Sequence, residues 1–352
     1  MAVLMPVLKD PITKALRRLE KQKYHVIGTH SAVKKCLWTH NALVEGRFCY
    51  KCRFYGIESH RCVQFSPSIL WCWNSCLHCW RVRPEDMGLR REELTRLPYV
   101  DDPEILADAA IEEHRRIVSG YKDRVPRELW EEAVNPKHVA ISLTGEPLLY
   151  PRFSELLQAF HKRGLTTFVV TRGVRPDVIA SLDEEPTQLY VSLEAWNERM
   201  YKEFNRPLTP GAWEATLETL SLLTTLSCPT VVRVTLVKGF NMGDEDVRGF
   251  AALLREAEPT YIEVKAYMHV GGSTGRLTRE NMPTMSEVME FSRKLAEETG
   301  YRVASKSTPS RVVLLTKLAG PIIRYGKGCP KAWREEDVGD EFSGEYGRPD
   351  EV

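Results

Sequence analysis

Cys72-Trp-Asn-Ser-Cys76-Leu-His-Cys79 places three thiols on one short stretch, four and three residues apart. Soft sulfur ligands suit iron–sulfur clusters and zinc alike. A structural zinc site closes with four protein ligands. Three thiolates on one loop instead fit three corners of an iron–sulfur cubane and leave its fourth iron open to a small molecule. The apolar pair at 69–70 reads as a short strand, so the loop is expected where a strand delivers its C-terminal end. The wider cysteine distribution also points to metal: seven of the nine cysteines fall between Cys36 and Cys79. Disulfide scaffolds are usually shorter chains, dense in cysteine throughout.

Outward from that loop, roughly from residue 66 to 317, short apolar runs alternate with helical stretches. The runs at 69–70, 138–143, 166–170, 188–193, 230–237, 261–266 and 311–316 are rich in Val, Ile and Thr and read as strands. Segments 103–120, 152–163, 175–182, 211–226, 245–257 and 285–299 read as helices. Pro151 and Thr284 suit helix starts, and Gly164 and Gly300 suit helix stops. Such alternation predicts an α/β domain of parallel strands with right-handed crossovers, closed into a barrel or part of one. Three segments are expected: a basic Cys-rich stretch at 1–65, the strand–helix domain at 66–330, and an acidic tail at 331–352, read as a mobile end. Residues 1–65 hold twelve Lys and Arg against four acids, although the whole chain carries a formal charge of only +1. A weak helical face spans 11–23. No apolar run approaches the length of about 18 residues that suggests a membrane helix. Residues 1–10 are too short and too soon charged for a secretory signal. A cytoplasmic protein with no membrane partner is therefore expected.

Three further patterns carry chemistry. Thr144-Gly145-Glu146-Pro147 follows the 138–143 strand. Gly145 permits close backbone approach, and Glu146 offers a carboxylate to an ammonium group; an ordinary strand-to-helix turn is the alternative. Ser192 and Glu194 end the 188–193 strand, as hydroxyl-binding or as structural residues. Cys36, Cys49 and Cys62 are each separated by twelve residues. They could hold a second cluster, a zinc site completed by Cys52, or remain buried thiols.

Together these patterns resemble the radical SAM (S-adenosylmethionine) enzymes, and among them the archaeal-type 4-demethylwyosine synthases of the wybutosine pathway. The resemblance rests on Cys36-x12-Cys49-x12-Cys62 and Cys72-x3-Cys76-x2-Cys79. It is supported by Gly46-Arg-Phe-Cys-Tyr-Lys51, Phe54-Tyr-Gly-Ile57, Leu143-Thr-Gly-Glu-Pro-Leu148 and Ile262-Glu-Val-Lys-Ala-Tyr-Met-His-Val-Gly271. It covers roughly residues 25–330. It implies a partial parallel (β/α)6 radical SAM barrel with an N-terminal Cys-rich extension. It also implies two [4Fe–4S] clusters, one held by Cys72, Cys76 and Cys79 and the other by Cys36, Cys49 and Cys62. Gly145 and Glu146 would meet the SAM amino group, and Ser192 and Glu194 its ribose.

The implied reaction is carbon–carbon chemistry on tRNA. N1-methylguanosine at position 37 of tRNA(Phe) would lose a methyl hydrogen, gain a two-carbon unit from pyruvate and close to tricyclic 4-demethylwyosine. Lys51 would form a Schiff base with pyruvate or contact it; a carboxylate-binding or RNA-facing lysine is the plainer alternative. No flavodoxin-like segment precedes the cysteines, which implies an external electron donor. A monomer is the default expectation. Trp38, Tyr50, Phe54, Tyr55 and Trp73 could stack on a flipped purine or form core, and His269 could contact substrate or support the site. Two rival functions remain open: another two-cluster radical SAM enzyme with a protein or small-molecule substrate, and a zinc-binding RNA protein.

Overall fold

The computed structural model describes residues 10–81 and 83–319. The expected acidic tail at 331–352, and Cys329, lie outside the described residues. One ten-stranded sheet organises the chain. Its strands are β1 (Tyr24–Ile27), β2 (Ser31–Lys34), β3 (Cys62–Ser66), β4 (His138–Ile141), β5 (Thr166–Thr171), β6 (Gln188–Leu193), β7 (Thr230–Leu236), β8 (Tyr261–Ala266), β9 (Arg302–Ser307) and β10 (Val312–Thr316). The spatial order is β1-β2-β3-β4-β5-β6-β7-β8-β10-β9. The six strands β3 to β8 are parallel. An antiparallel hairpin closes each flank, β1–β2 on β3 and β10–β9 on β8.

Local signals explain the crossover helices. Pro103–Ser119 begins where Asp102 accepts hydrogen bonds from the Glu104 and Ile105 amides. Met285–Thr299 begins with a Thr284–Glu287 capping box and ends at Gly300, φ +73°. Its buried residues Val288, Phe291, Ser292, Leu295, Ala296 and Thr299 recur at helical spacing.

The two faces of the sheet differ. Val63, Phe65, Val139, Ile141, Val232, Val234, Ile262 and Val264 point toward the helices and join the main core. The alternate residues point inward. Near one end of that inner face Phe168, Tyr190, Val231 and Tyr261 pack against Tyr50, Phe54, Tyr55 and Ile57. This segment reaches several strands at once: the Glu58 amide donates to His138 on β4, and the Tyr55 hydroxyl to Glu263 on β8. Those strands are four spacings apart, about 19 Å in a flat sheet. The sheet therefore curls around the segment, which plugs one end of the partial barrel.

Two sequence expectations are corrected. Residues 69–70 form a turn, and the first parallel strand is Cys62–Ser66, so β3 crosses position 65. The run at 311–316 becomes β10, antiparallel to both neighbours. The short turn after β9 leaves no length for the crossover that a parallel strand needs.

Candidate active site: two thiol triads facing one cavity

The Cys72–Cys79 loop is stitched to three neighbouring loops. The Cys72 amide donates to Leu94 O, the Ser75 amide to Asn205 O, and the Leu77 amide to Phe204 O. Arg276 donates from Nε to Leu77 O at 3.1 Å and from its guanidinium to Cys79 O. The base of the loop rests on the Thr-Gly-Glu-Pro turn. The Glu146 amide donates to Trp71 O, and the Ser68 hydroxyl to Glu146 O at 2.6 Å. Gly145, at φ +71°, packs so closely here that a Cβ would stand 1.8 Å from Ser68 O.

The second triad comes from three different elements. Cys36 caps helix Leu37–Val44, Cys49 caps helix Tyr50–Tyr55, and Cys62 opens β3. Both N-caps put a thiol at the positive end of a helix dipole, which favours thiolate. Cys52 turns away into a small apolar cluster with Ala42 and Phe48, so it is no fourth ligand. Among the described residues no three Cys, His, Asp or Glu converge to share a single metal ion. A cubane would take each thiolate at a separate iron. Burial pushes the Cys49, Cys62 and Cys76 thiols up to about 12. Two sets of three soft thiol donors on one cavity are the ligand set that a cubane with one open iron would take. The residues therefore fit clusters at both triads.

All eleven expected site residues line one cavity of about 450 Å³: both cysteine triads, Lys51, Gly145, Glu146, Ser192 and Glu194. The carboxylates are already engaged. Glu146 accepts from the Thr171 hydroxyl at 2.7 Å, the Arg172 amide at 2.9 Å and the Leu148 amide at 3.3 Å. Glu194 pairs with Arg172, faces His78 Nε2 at 3.4 Å and accepts from Asn205 Nδ2 at 3.1 Å. Burial would raise the Glu194 carboxyl, but Arg172 and His78 outweigh it and hold it far below the usual range. Removing one partner of such a buried pair typically costs about 3–5 kcal/mol. Arg172 also reaches Cys76 Sγ at 3.1 Å, so this pair sits directly on the cluster loop. Neither Arg172 nor His78 was anticipated from the sequence.

Below the second triad lies another unanticipated group. Arg233 Nε donates to Glu263 at 2.8 Å, and the Tyr50 and Tyr55 hydroxyls donate to the same carboxylate. Lys51 Nζ stands 4.5 Å from the Tyr190 ring centre. Lys265 Nζ stands 5.3 Å from the Tyr50 ring centre and donates to Ser310 O. Burial lowers both ammonium groups, with Arg233 adding to it, Lys265 to about 8. A readable signal existed: Arg233, Glu263 and Lys265 interrupt apolar strands with charge. Of the aromatics considered for stacking, Phe54, Tyr55 and Trp73 are core. Tyr50 is buried but reaches the cavity wall, and Trp38 is half-buried on it. His269 is not among the lining residues, although Tyr267 and Met268 are.

Two family models match the chain: the radical SAM superfamily over residues 66–251, and wyosine base formation over residues 256–317. The S-adenosyl-L-methionine-dependent tRNA 4-demethylwyosine synthase of Pyrococcus abyssi is 44% identical over 304 residues, covering 84% of this chain and 86% of that one. The Methanocaldococcus jannaschii synthase is 42% identical over 315 residues, covering 88% and 96%. The chain belongs to the tRNA 4-demethylwyosine synthases. The human synthase is 37% identical over 309 residues, which are 86% of this chain but 41% of the human one. Among solved structures, TYW1 with a lysine–pyruvate adduct bound superimposes with a TM-score of 0.77 at 39% identity, covering 88% of this chain and 97% of that one. Archaeal TYW1 gives 0.70 at 36% identity, covering 88% and 96%.

This synthase is thus a radical SAM enzyme of tRNA modification on an α/β radical SAM fold, with SAM and a [4Fe–4S] cluster as the family's cofactors. The wyosine-specific match covers β8, β9 and β10. It therefore supplies Glu263, Lys265 and Ser310. Among the described residues no helix is long and apolar enough to cross a membrane.

Proposed function

We propose that the enzyme condenses N1-methylguanosine-37 of tRNA(Phe) with a two-carbon unit of pyruvate, whose carboxyl carbon is lost, to give 4-demethylwyosine, using clusters at both triads. The observation that carries this is the meeting of both triads and Lys51 on one cavity wall. Cys72, Cys76 and Cys79 would hold a cluster that, with SAM bound, would supply one-electron reductive chemistry for hydrogen removal. Cys36, Cys49 and Cys62 would hold a second cluster able to take an α-keto acid as an oxygen ligand.

Lys51 takes up pyruvate on Nζ as an imine. The related TYW1 structure with a lysine–pyruvate adduct bound supports this assignment. In this chain the Lys51 ammonium lies above Tyr190 and Phe168, and burial with the nearby Arg233 lowers its pKa, which makes the nucleophilic neutral amine easier to reach. Gly145 and Glu146 build the turn that faces the SAM amino group. Ser192 meets the ribose, and Glu194 acts through Arg172 and His78. An external donor provides the electrons, and the protein works as a cytoplasmic monomer.

The test is direct. Anaerobic enzyme carrying about eight irons per chain, as two Cys-ligated cubanes require, is reduced and given SAM, pyruvate and tRNA(Phe) bearing N1-methylguanosine-37. Mass spectrometry is expected to find the tricyclic base, and Lys51→Ala to lose it by about 100-fold or more. No tricyclic base from fully loaded wild-type enzyme would reject the reading and favour another substrate class.

A further inference from the structure

Two polar groups on the cavity wall have donors that the protein leaves unused. Both come from the wyosine-specific part of the chain: Lys265 on β8, and Ser310 on the turn between β9 and β10. Among the described residues Lys265 Nζ makes one hydrogen bond, to Ser310 O at 2.8 Å, and lies 5.3 Å from the Tyr50 ring centre. An ammonium carries three donors, so two remain. The Ser310 hydroxyl is sealed from solvent without a hydrogen-bond partner, on a residue only 1% exposed. A buried polar group left unmatched is costly, and this one stands beside a cation.

The neighbours of this pair say what would fit it. Lys265 feels the charges of Arg233, Glu263, Cys49 and Lys51. The Glu263 carboxylate is occupied: Arg233 and Tyr50 share one oxygen, and Tyr55 takes the other. Arg233 is occupied too, by Glu263 and by the Tyr50 hydroxyl at 3.1 Å. Cys49 belongs to the second triad, and Lys51 is the amine assigned to the keto acid. Lys265 is thus near both groups to which that acid would be bound. The turn that carries Ser310 is fixed: the Ala266 amide donates to Arg311 O at 2.9 Å, and Arg311 adopts φ +45°. A non-glycine residue holds that conformation where its surroundings impose it.

We propose that Lys265 and the Ser310 hydroxyl hold the carboxylate of the keto acid while Lys51 takes up its carbonyl carbon; this rests on the reading of the substrate given above. Imine formation joins Lys51 Nζ to that carbon and releases the keto oxygen as water. The carboxylate is then the one oxygen group by which the bound acid can be oriented. A carboxylate accepts about four contacts, so this pair need not displace one made to the second cluster. Holding the carboxylate selects α-keto acids over neutral ketones and aldehydes, which could react with the same amine. The carboxylate of SAM is the rival source of the same chemistry, and the experiment separates the two.

The experiment traps the imine on cluster-loaded enzyme with cyanoborohydride, without oxygen, and reads the mass shift of the Lys51 peptide across a series of pyruvate concentrations. Lys265→Met is expected to raise half-saturating pyruvate about 10- to 100-fold, the range for a hydrogen bond to a charged group. Ser310→Ala is expected to raise it about 5-fold. Methyl pyruvate, which lacks the charge, is expected to saturate Lys265→Met and wild type alike, with SAM affinity unchanged. Lys265→Arg is expected to recover part of the pyruvate affinity. Unchanged half-saturation by pyruvate overturns the proposal. Equal losses for acid and ester overturn it as well and make Lys265 a support for Lys51. A loss confined to SAM affinity overturns it and assigns the pair to SAM. Iron content reports whether the second cluster is kept. Should Lys265→Met lose it, Ser310→Ala takes its place, and an unaltered acid-to-ester ratio there overturns the proposal. Failure of the functional reading alone looks different: wild-type enzyme traps pyruvate on Lys51 but forms no tricyclic base. Wild-type enzyme that traps no pyruvate overturns both.

Discussion

Gly145 shows how a residue can be read correctly for position and incompletely for reason. The turn was expected to need glycine so that backbone could approach a ligand. Its closest neighbour is instead the protein's own Ser68 carbonyl, under the cluster loop. Positive φ alone would cost a larger residue about 1–2 kcal/mol, but a Cβ 1.8 Å from that oxygen forces the loop itself to move. Gly145→Ala is therefore expected to lose about 100-fold in activity, the scale of a displacement near 1 Å at a reacting centre, and to lose EPR signal from the cluster proposed at Cys72, Cys76 and Cys79 more than from the one proposed at Cys36, Cys49 and Cys62. Equal signals with full activity would contradict the assignment.

The two acids were similarly legible as cavity residues but not as occupied ones. Their partners Thr171, Arg172, His78 and Asn205 are scattered over more than a hundred residues, and no local pattern links them. A carboxylate at a strand end announces that something is bound; only the packed fold shows that much of it is protein.

Among the elements, the long amphipathic helices and the strands rich in Val and Ile were plain in the sequence. The segment between Cys36 and Cys62 was not. Its helices Leu37–Val44 and Tyr50–Tyr55 are too short to show periodicity, and their apolar residues divide among clusters: Tyr50, Phe54 and Tyr55 serve the inside of the barrel, while Leu43 packs with Val118, Tyr121 and Ala133. β3 escaped notice because Cys62 and Gln64 face the cavity, which breaks its apolar run.

What fastens this segment to β4 is neutral histidine. His138 Nε2 accepts from the Glu58 amide at 3.2 Å, and Nδ1 faces the Thr166 hydroxyl at 2.6 Å. His114 Nε2 faces Ala133 O at 3.0 Å on the same flank. Burial lowers His138 to about 3 and His114 to about 4, from 6.5. Their folded values are depressed, so the stability of the neutral rings is complete above pH 6.5 and is lost as pH falls toward 4 and 3. Each contributes on the order of 3 kcal/mol. The melting temperature of cluster-loaded enzyme should fall steadily from pH 6.5 to 4.5. His138→Gln, whose amide oxygen can still accept from Glu58, should flatten that fall relative to wild type; parallel curves would refute the role.

At the scale of the whole molecule, alternating strands and helices predicted five of the six parallel strands, β4 to β8, and the family resemblance, more than the cysteine spacing, pointed to two triads. Neither predicted the flanking hairpins. Hairpin strands carry no crossover helix to announce them, and β1 and β2 are only four residues each. Yet the flanks matter: one brings Lys34 to the cavity wall, and the other covers β8, which carries Lys265 over the Tyr50 ring.

That shared space sets a timetable. Lys51, over Tyr190 and Phe168, lines the same cavity of about 450 Å³ as both cysteine triads. A base that fills this space would bar the way to Lys51. On the proposed reaction the keto acid would therefore come aboard before the RNA arrives, and each modified RNA would depart before the next molecule of acid enters. Steady-state rates should then show compulsory-order behaviour, with surplus RNA slowing turnover and added pyruvate relieving the brake; random-order kinetics would show that the acid has a second way in.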